Sequence, residues 1–304
     1  MNEPAEEGTA EKVKRAKTLL SSDSSSIELH DLLASEVRRF LSITSEDSFP
    51  TSGQFTNEEL LDRISRYEDA AADLSLLLAC IAHWGKAIHT STMQKCIARS
   101  SDRLESRGGL TIWLELRWYP LILELYTSGI AAIDAQRYDN LATLFYTQLP
   151  SSEYRDQTVT FVETVSNGLL EIIRTNAFKQ IPGHERHYTP LSEYLFKILQ
   201  PRLDDTFFLG KNYETAFDEF EVIFALAIAD IRQAKGRDVW GPIGRFGWKH
   251  RNRDNGPLAR IVNDARNRKE QWPPIRAGMF GGNFERFDKV ATEYLELVGR
   301  LNWF

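Results

Sequence analysis

Cysteine is scarce in this chain: Cys80 and Cys96 are the two among 304 residues. Two thiols cannot build a disulfide framework, so a reducing compartment, the cytoplasm, is expected. Long apolar runs are also missing. The densest stretch, 74–81, is soon interrupted by His83, Lys86 and His89, short of the ~18 apolar residues that mark a membrane span. No membrane partner is therefore expected. The start, Met1-Asn2-Glu3-Pro4-Ala5-Glu6-Glu7, is acidic and lacks the basic and apolar regions of a signal peptide. No segment shows the period-two alternation of a half-buried strand. Neither charge sign dominates, with 37 basic against 43 acidic residues and a net charge of −6. That balance gives no global attraction to nucleic acid or anionic membranes.

Catalytic signatures are equally sparse. No GxxxxGK[ST] phosphate loop occurs, and no GxSxG elbow. The run Gly241-Pro242-Ile243-Gly244-Arg245-Phe246-Gly247 is glycine-dense, but no strand precedes it, and its proline removes a donor that a phosphate cradle would use. Cys80 and His83 are three apart, but His89 and Cys96 are seven apart and no paired CxxC knuckle exists. Both cysteines are therefore expected to pack as small hydrophobes. In His184-Glu185-Arg186-His187 the histidines are three apart, not four, and Pro182-Gly183 precedes them, so a solvated loop is expected rather than a zinc-protease helix. Asp204-Asp205 has no evident catalytic partner. No catalytic residue, no metal ligand and no cofactor is assigned, and the chain is not expected to be an enzyme.

What is present is helix. Leu29, Leu32, Leu33, Val37, Phe40 and Leu41 form one stripe over 27–43. Thr56-Asn57-Glu58-Glu59 reads as a capping box opening a helix to about residue 84. Another helix spans 92–105, stopped by Gly108-Gly109. Pro120 should break or kink the apolar block 110–145. Within 119–145 the pattern is helix, turn near Arg137-Tyr138, helix, with Gly129, Ala132 and Ala135 allowing close approach; this is tetratricopeptide-like, but no second copy recurs at a fixed period. Further helices are expected over 158–174, from Thr189-Pro190 to a stop at Pro201, and over 213–233, where Phe217, Phe220, Phe224, Ala227 and Ile231 make the inner stripe.

Composition changes at Lys235. Residues 235–289 hold 8 of the 18 glycines, 4 of the 11 prolines and 3 of the 7 tryptophans, with 13 basic and 6 acidic residues. This zone carries +7 and leaves −13 on the remainder. Within it 257–269 reads as helical, and a closing helix over 284–301 is capped by Asn283. The expected fold is all-α: an irregular multi-helix array with a tetratricopeptide-like hairpin and a Gly/Trp/Arg-rich insertion before the last helix. The expected division is a flexible segment 1–25, a helical array 26–234, and a basic insert with its closing helix 235–304.

The insert supplies the candidate site. Arg245, Lys249, Arg251, Arg253 and Arg260 are interleaved with Phe246, Trp248 and His250. Arginine forks suit phosphate or carboxylate, and aromatic faces suit bases. Two readings stand: recognition of a nucleotide, a nucleic-acid strand or an acidic protein surface, or internal pairing with the acidic helices while Trp240, Trp248 and Trp272 wedge between them. For the first, Arg245, Trp248, Lys249, Arg251, Arg253 and Arg260 are the candidate binding residues.

Three stretches together carry a resemblance: 113–120 with 129–132; 213–230; and 239–246 with 272–282. They resemble the helical C-terminal half of large bacterial proteins whose N-terminal half is a sirtuin-like, TIR-like or NTPase effector, many of them candidates for antiviral defence. The resemblance spans about residues 27–304. It implies a sensing or scaffolding part without its effector half, and no catalytic residues carry over. The expected function is a non-catalytic binding or regulatory module partnered by another protein, an effector or subunit. The alternative is a nucleic-acid or nucleotide-binding protein that uses the insert.

Overall fold

The computed structural model describes residues 7–102, 108–151, 157–249 and 256–301. The fold is all-α. It begins with α1 (Thr9–Leu20), α2 (Ser26–Ile43), α3 (Asn57–Trp84), α4 (Thr90–Ser101) and α5 (Thr111–Leu116). Then come α6 (Tyr119–Asp134), α7 (Tyr138–Tyr146), a two-stranded sheet of β1 (Gln148–Pro150) and β2 (Thr158–Thr160), and α8 (Phe161–Thr175). The second half holds α9 (Pro190–Phe207), α10 (Tyr213–Ala234), the short α11 (Phe246–Lys249), α12 (Pro257–Arg268), the short α13 (Pro273–Arg276) and α14 (Phe284–Gly299).

Local chemistry sets many boundaries. The Thr56 hydroxyl accepts from the Glu59 amide at 3.1 Å and opens α3. The Asn283 side chain accepts from the Arg286 amide at 2.9 Å and opens α14. The apolar block is broken just ahead of Pro120, between α5 and α6, and Pro120 lies in the first turn of α6, where its missing amide is harmless. A turn over 135–137 joins α6 to α7, giving the expected helical hairpin.

Helix α6 is apolar almost all round, and 15 of its residues are buried. It packs most extensively along α3 and next on α10. Gly129 of α6 lies against the Phe220 ring of α10. Tyr126 of α6, Phe145 of α7 and Phe217, Phe220 and Phe224 of α10 form an aromatic centre where these three helices meet. Each fully buried large side chain contributes about 1.5–3 kcal/mol of transfer free energy. One hydrophobic core runs from Val13 of α1 to Val298 of α14. Among the described residues no helix is long and apolar enough to cross a membrane.

Three local expectations are corrected. Within the N-terminal segment expected to be flexible, α1 docks on α3; Val13, Ala16 and Leu20 are buried, and Lys12 bonds Glu36 and Asp73. Pro201 does not end α9, which continues to Phe207 because Leu203, Thr206 and Phe207 are buried beyond it, while Pro201 itself faces solvent. A sheet exists, with Leu149 opposite Val159, but strands of three residues are too short to display a period of two. Helix α4 is Thr90–Ser101, and residues 103–105 of its expected range lie outside the described residues.

The insert begins with residues 237–244, a strap without regular structure that runs back along α10. Gly241 lies against the Ala225 carbonyl and Gly244 against the Glu221 carboxyl group. A β-carbon on Gly244 would sit 2.1 Å from both carboxyl oxygens, so only glycine permits this approach. From α14, the Tyr294 hydroxyl donates to the carbonyls of Gly241 and Pro242 at 3.3 and 3.4 Å. The Arg286 guanidinium bonds both carboxyl oxygens of Asp230 at 2.5 and 2.7 Å, tying α14 to α10.

Candidate functional site

Arg245, Trp248 and Lys249 come together where the strap turns into α11, but not as an open cationic patch. Arg245 is only 6% exposed. Its guanidinium lies 3.4 Å from the centroid of the Phe196 ring, 3.6 Å from Glu193 and 3.5 Å from Glu214. The Lys249 ammonium bonds Asp218 at 2.5 Å and Glu214 at 2.7 Å. The Trp248 indole N–H donates to Glu193 at 2.8 Å. The Lys249 contact holds the Glu214 carboxyl below its ordinary value, whereas burial pushes Asp218 upward despite the same lysine. Arg260 stands apart on the exposed face of α12, lining a cavity of about 260 Å³ with Asp218, Glu219, Asp264 and Trp272. Arg251 and Arg253 lie outside the described residues.

The other sequence candidates fall elsewhere. Cys80 and Cys96 are free and buried, and burial pushes both thiols up to about 12. The segment with His184 and His187 is not helical; their rings meet edge to face 4.8 Å apart, and burial lowers the His184 value. Among the described residues no group of three His, Cys, Asp or Glu side chains is placed to hold a metal ion.

A buried polar cluster, which sequence reasoning missed, lies under the strap. Glu221 is 1% exposed on α10. Its Oε1 accepts from the Ser192 hydroxyl at 2.6 Å and the Tyr126 hydroxyl at 3.1 Å. Its Oε2 accepts from the Arg245 backbone amide at 3.0 Å. That amide also donates to the Ser192 hydroxyl at 2.9 Å. Burial, reinforced by nearby Asp218, raises the carboxyl group to about 7 against the pull of these donors and of Arg245.

Glu221 lines a cavity of about 100 Å³. Its walls are Tyr126, Leu169, Leu191 and Phe224 within the bundle, and Pro242 and Ile243 of the strap. Ile173 and Tyr188, 44% and 54% exposed, stand at the side open to solvent. Tyr188 also borders two neighbouring depressions. One includes Phe178, Lys179 and Pro190; the other, about 320 Å³, includes Arg186, His187, Glu193 and Trp248. A signal for Glu221 was present in sequence: it falls four residues after Phe217 and three before Phe224, directly on the apolar stripe of α10.

Comparison with protein-family models, with curated proteins and with solved structures found no match.

Proposed function

We propose that this chain is a non-catalytic, cytoplasmic binding module that docks a partner protein through the face centred on Tyr188 and Trp248. It serves as the sensor or scaffold member of an assembly. The carrying observation is the arrangement of depressions around Tyr188: this half-exposed aromatic borders three of them, with Ile173 on one side and Arg186, His187 and Trp248 on the other. An exposed tyrosine and arginine with a half-buried tryptophan beside these hollows have the composition of binding hot spots. The resemblance of residues 27–304 to the helical half of bacterial defence effectors implies that the partner is an effector chain. Two free, buried thiols suit a reducing compartment.

The nucleic-acid alternative draws less support, because Arg245 and Lys249 are already engaged by Glu193, Glu214 and Asp218. The experiment is comparative cross-linking in the native cell with the wild type, Tyr188→Ala and Trp248→Ala. A partner captured by the wild type and lost by both variants, at unchanged melting temperature, supports the reading. A partner retained by both overturns it, as does capture that collapses with salt in the manner of counterion release.

A further inference from the structure

The cavity over Glu221 combines three properties that together define an occupant, independently of whether the outer face docks a protein. The first is size. About 100 Å³ exceeds the room for one water and approaches an engineered 150 Å³ cavity that takes up benzene. It matches a single ring. The second is charge. Among the described residues no lysine, arginine or histidine lines it, and the Arg245 guanidinium is turned onto Phe196 and toward Glu193 and Glu214. An anionic head would meet the Glu221 carboxyl with no compensating cation.

The third is an unused polar atom. Thr189 occupies the N-cap position of α9, where a threonine hydroxyl ordinarily accepts from an amide in the first turn. Here it caps nothing, and its buried oxygen has no hydrogen-bond partner among the described residues. It lines this cavity. A buried hydroxyl without a partner costs about 1–3 kcal/mol, and a ligand hydroxyl removes that cost, because it can donate to and accept from Thr189. Glu221 offers a further acceptor: three donors occupy a carboxyl group with about four lone-pair sites.

We infer that this cavity is a binding site for one small, uncharged ring compound bearing a hydroxyl group, of the size of phenol. The apolar walls take the ring, Thr189 and Glu221 take the hydroxyl, and the strap closes over both.

The test uses three probes on the full chain, followed by ligand-observed NMR and thermal shift: phenol, toluene and benzoate. Phenol is expected to bind and raise the melting temperature by mass action, toluene to bind more weakly, and benzoate not to bind. Thr189→Val keeps the side-chain shape and removes a hydroxyl that caps nothing. It should weaken phenol roughly threefold to tenfold, the worth of one hydrogen bond, and leave toluene unchanged. Ile173→Trp, at a half-exposed position on the open side, should abolish binding of both without lowering stability. Three results would each overturn the inference: no phenol binding at millimolar concentration, benzoate binding as well as phenol, or phenol affinity unaltered in both variants.

Discussion

Asp73 and Glu221 are both buried carboxyl groups on long helices, yet their surroundings drive them in opposite directions. Asp73 of α3 accepts from the Lys12 ammonium at 2.6 Å and the Thr9 hydroxyl at 2.5 Å, with the Arg39 guanidinium at 3.4 Å. Burial alone would raise it, but these partners together hold it below its ordinary value. Glu221 of α10 has hydroxyl and amide donors and, among the described residues, no ion pair with a lysine or arginine, and it rises to about 7. Desolvation acts on both. A cation in direct contact reverses it at Asp73, and neutral donors do not at Glu221. The first group is a structural clasp, whereas the second borders a cavity.

The largest expected effect is at the clasp. Lys12→Met leaves Glu36 and Asp73 buried without their shared ammonium, and should lower unfolding free energy by about 3–5 kcal/mol in urea titration. A loss under about 1 kcal/mol would show that Arg39 alone holds both carboxylates. Next comes Gly244→Ala, whose new methyl group collides with the Glu221 oxygens. It should cost about 1–3 kcal/mol and loosen the strap, read as faster amide exchange over 237–245. Unchanged exchange would disprove the close approach.

A third prediction concerns pH. The folded chain holds the Glu221 proton more tightly than the unfolded chain does. Its contribution is therefore greatest below the unfolded carboxylate value and is lost as pH rises toward and through about 7. Asp73 has the opposite sign: its contribution is present above the unfolded value and is lost as pH falls. Glu221→Gln should flatten the decline in melting temperature between pH 4.5 and about 7, the span between the ordinary carboxylate value and the folded Glu221 value. An identical profile in the variant would contradict the assignment.

The smallest effects sharpen the contrast within the insert. Lys249→Ala should cost about 1–3 kcal/mol by stranding buried Asp218, while Arg260→Ala on the exposed face of α12 should stay within about 0.5 kcal/mol. Equal losses in thermal denaturation would mean that the two cations do the same work.

Much of the helical layout was legible because its causes are local. The stripe on α2, the Thr56 and Asn283 caps, the break of the apolar block at Pro120 and the turn before Tyr138 each depend on neighbours within a few residues. Pro201 misled because local steric preference yielded to the burial of Leu203 and Phe207 further along. The insert was visible as a cluster of cations and aromatics, but its exposure was not, since Glu193, Glu214 and Asp218 belong to helices that precede it by tens of residues.

Residue order thus dictates where helices start, which face each buries and where the composition breaks, because periodicity and capping act over one or two turns. Whether a charge is a clasp, a surface group or the lining of a cavity is decided by what the fold brings against it. Arg245 meets Phe196, Lys249 meets Asp218, and Gly244 meets Glu221. Those encounters set solvation and pairing, and electrostatic free energy depends on distance and desolvation in space rather than on separation along the chain.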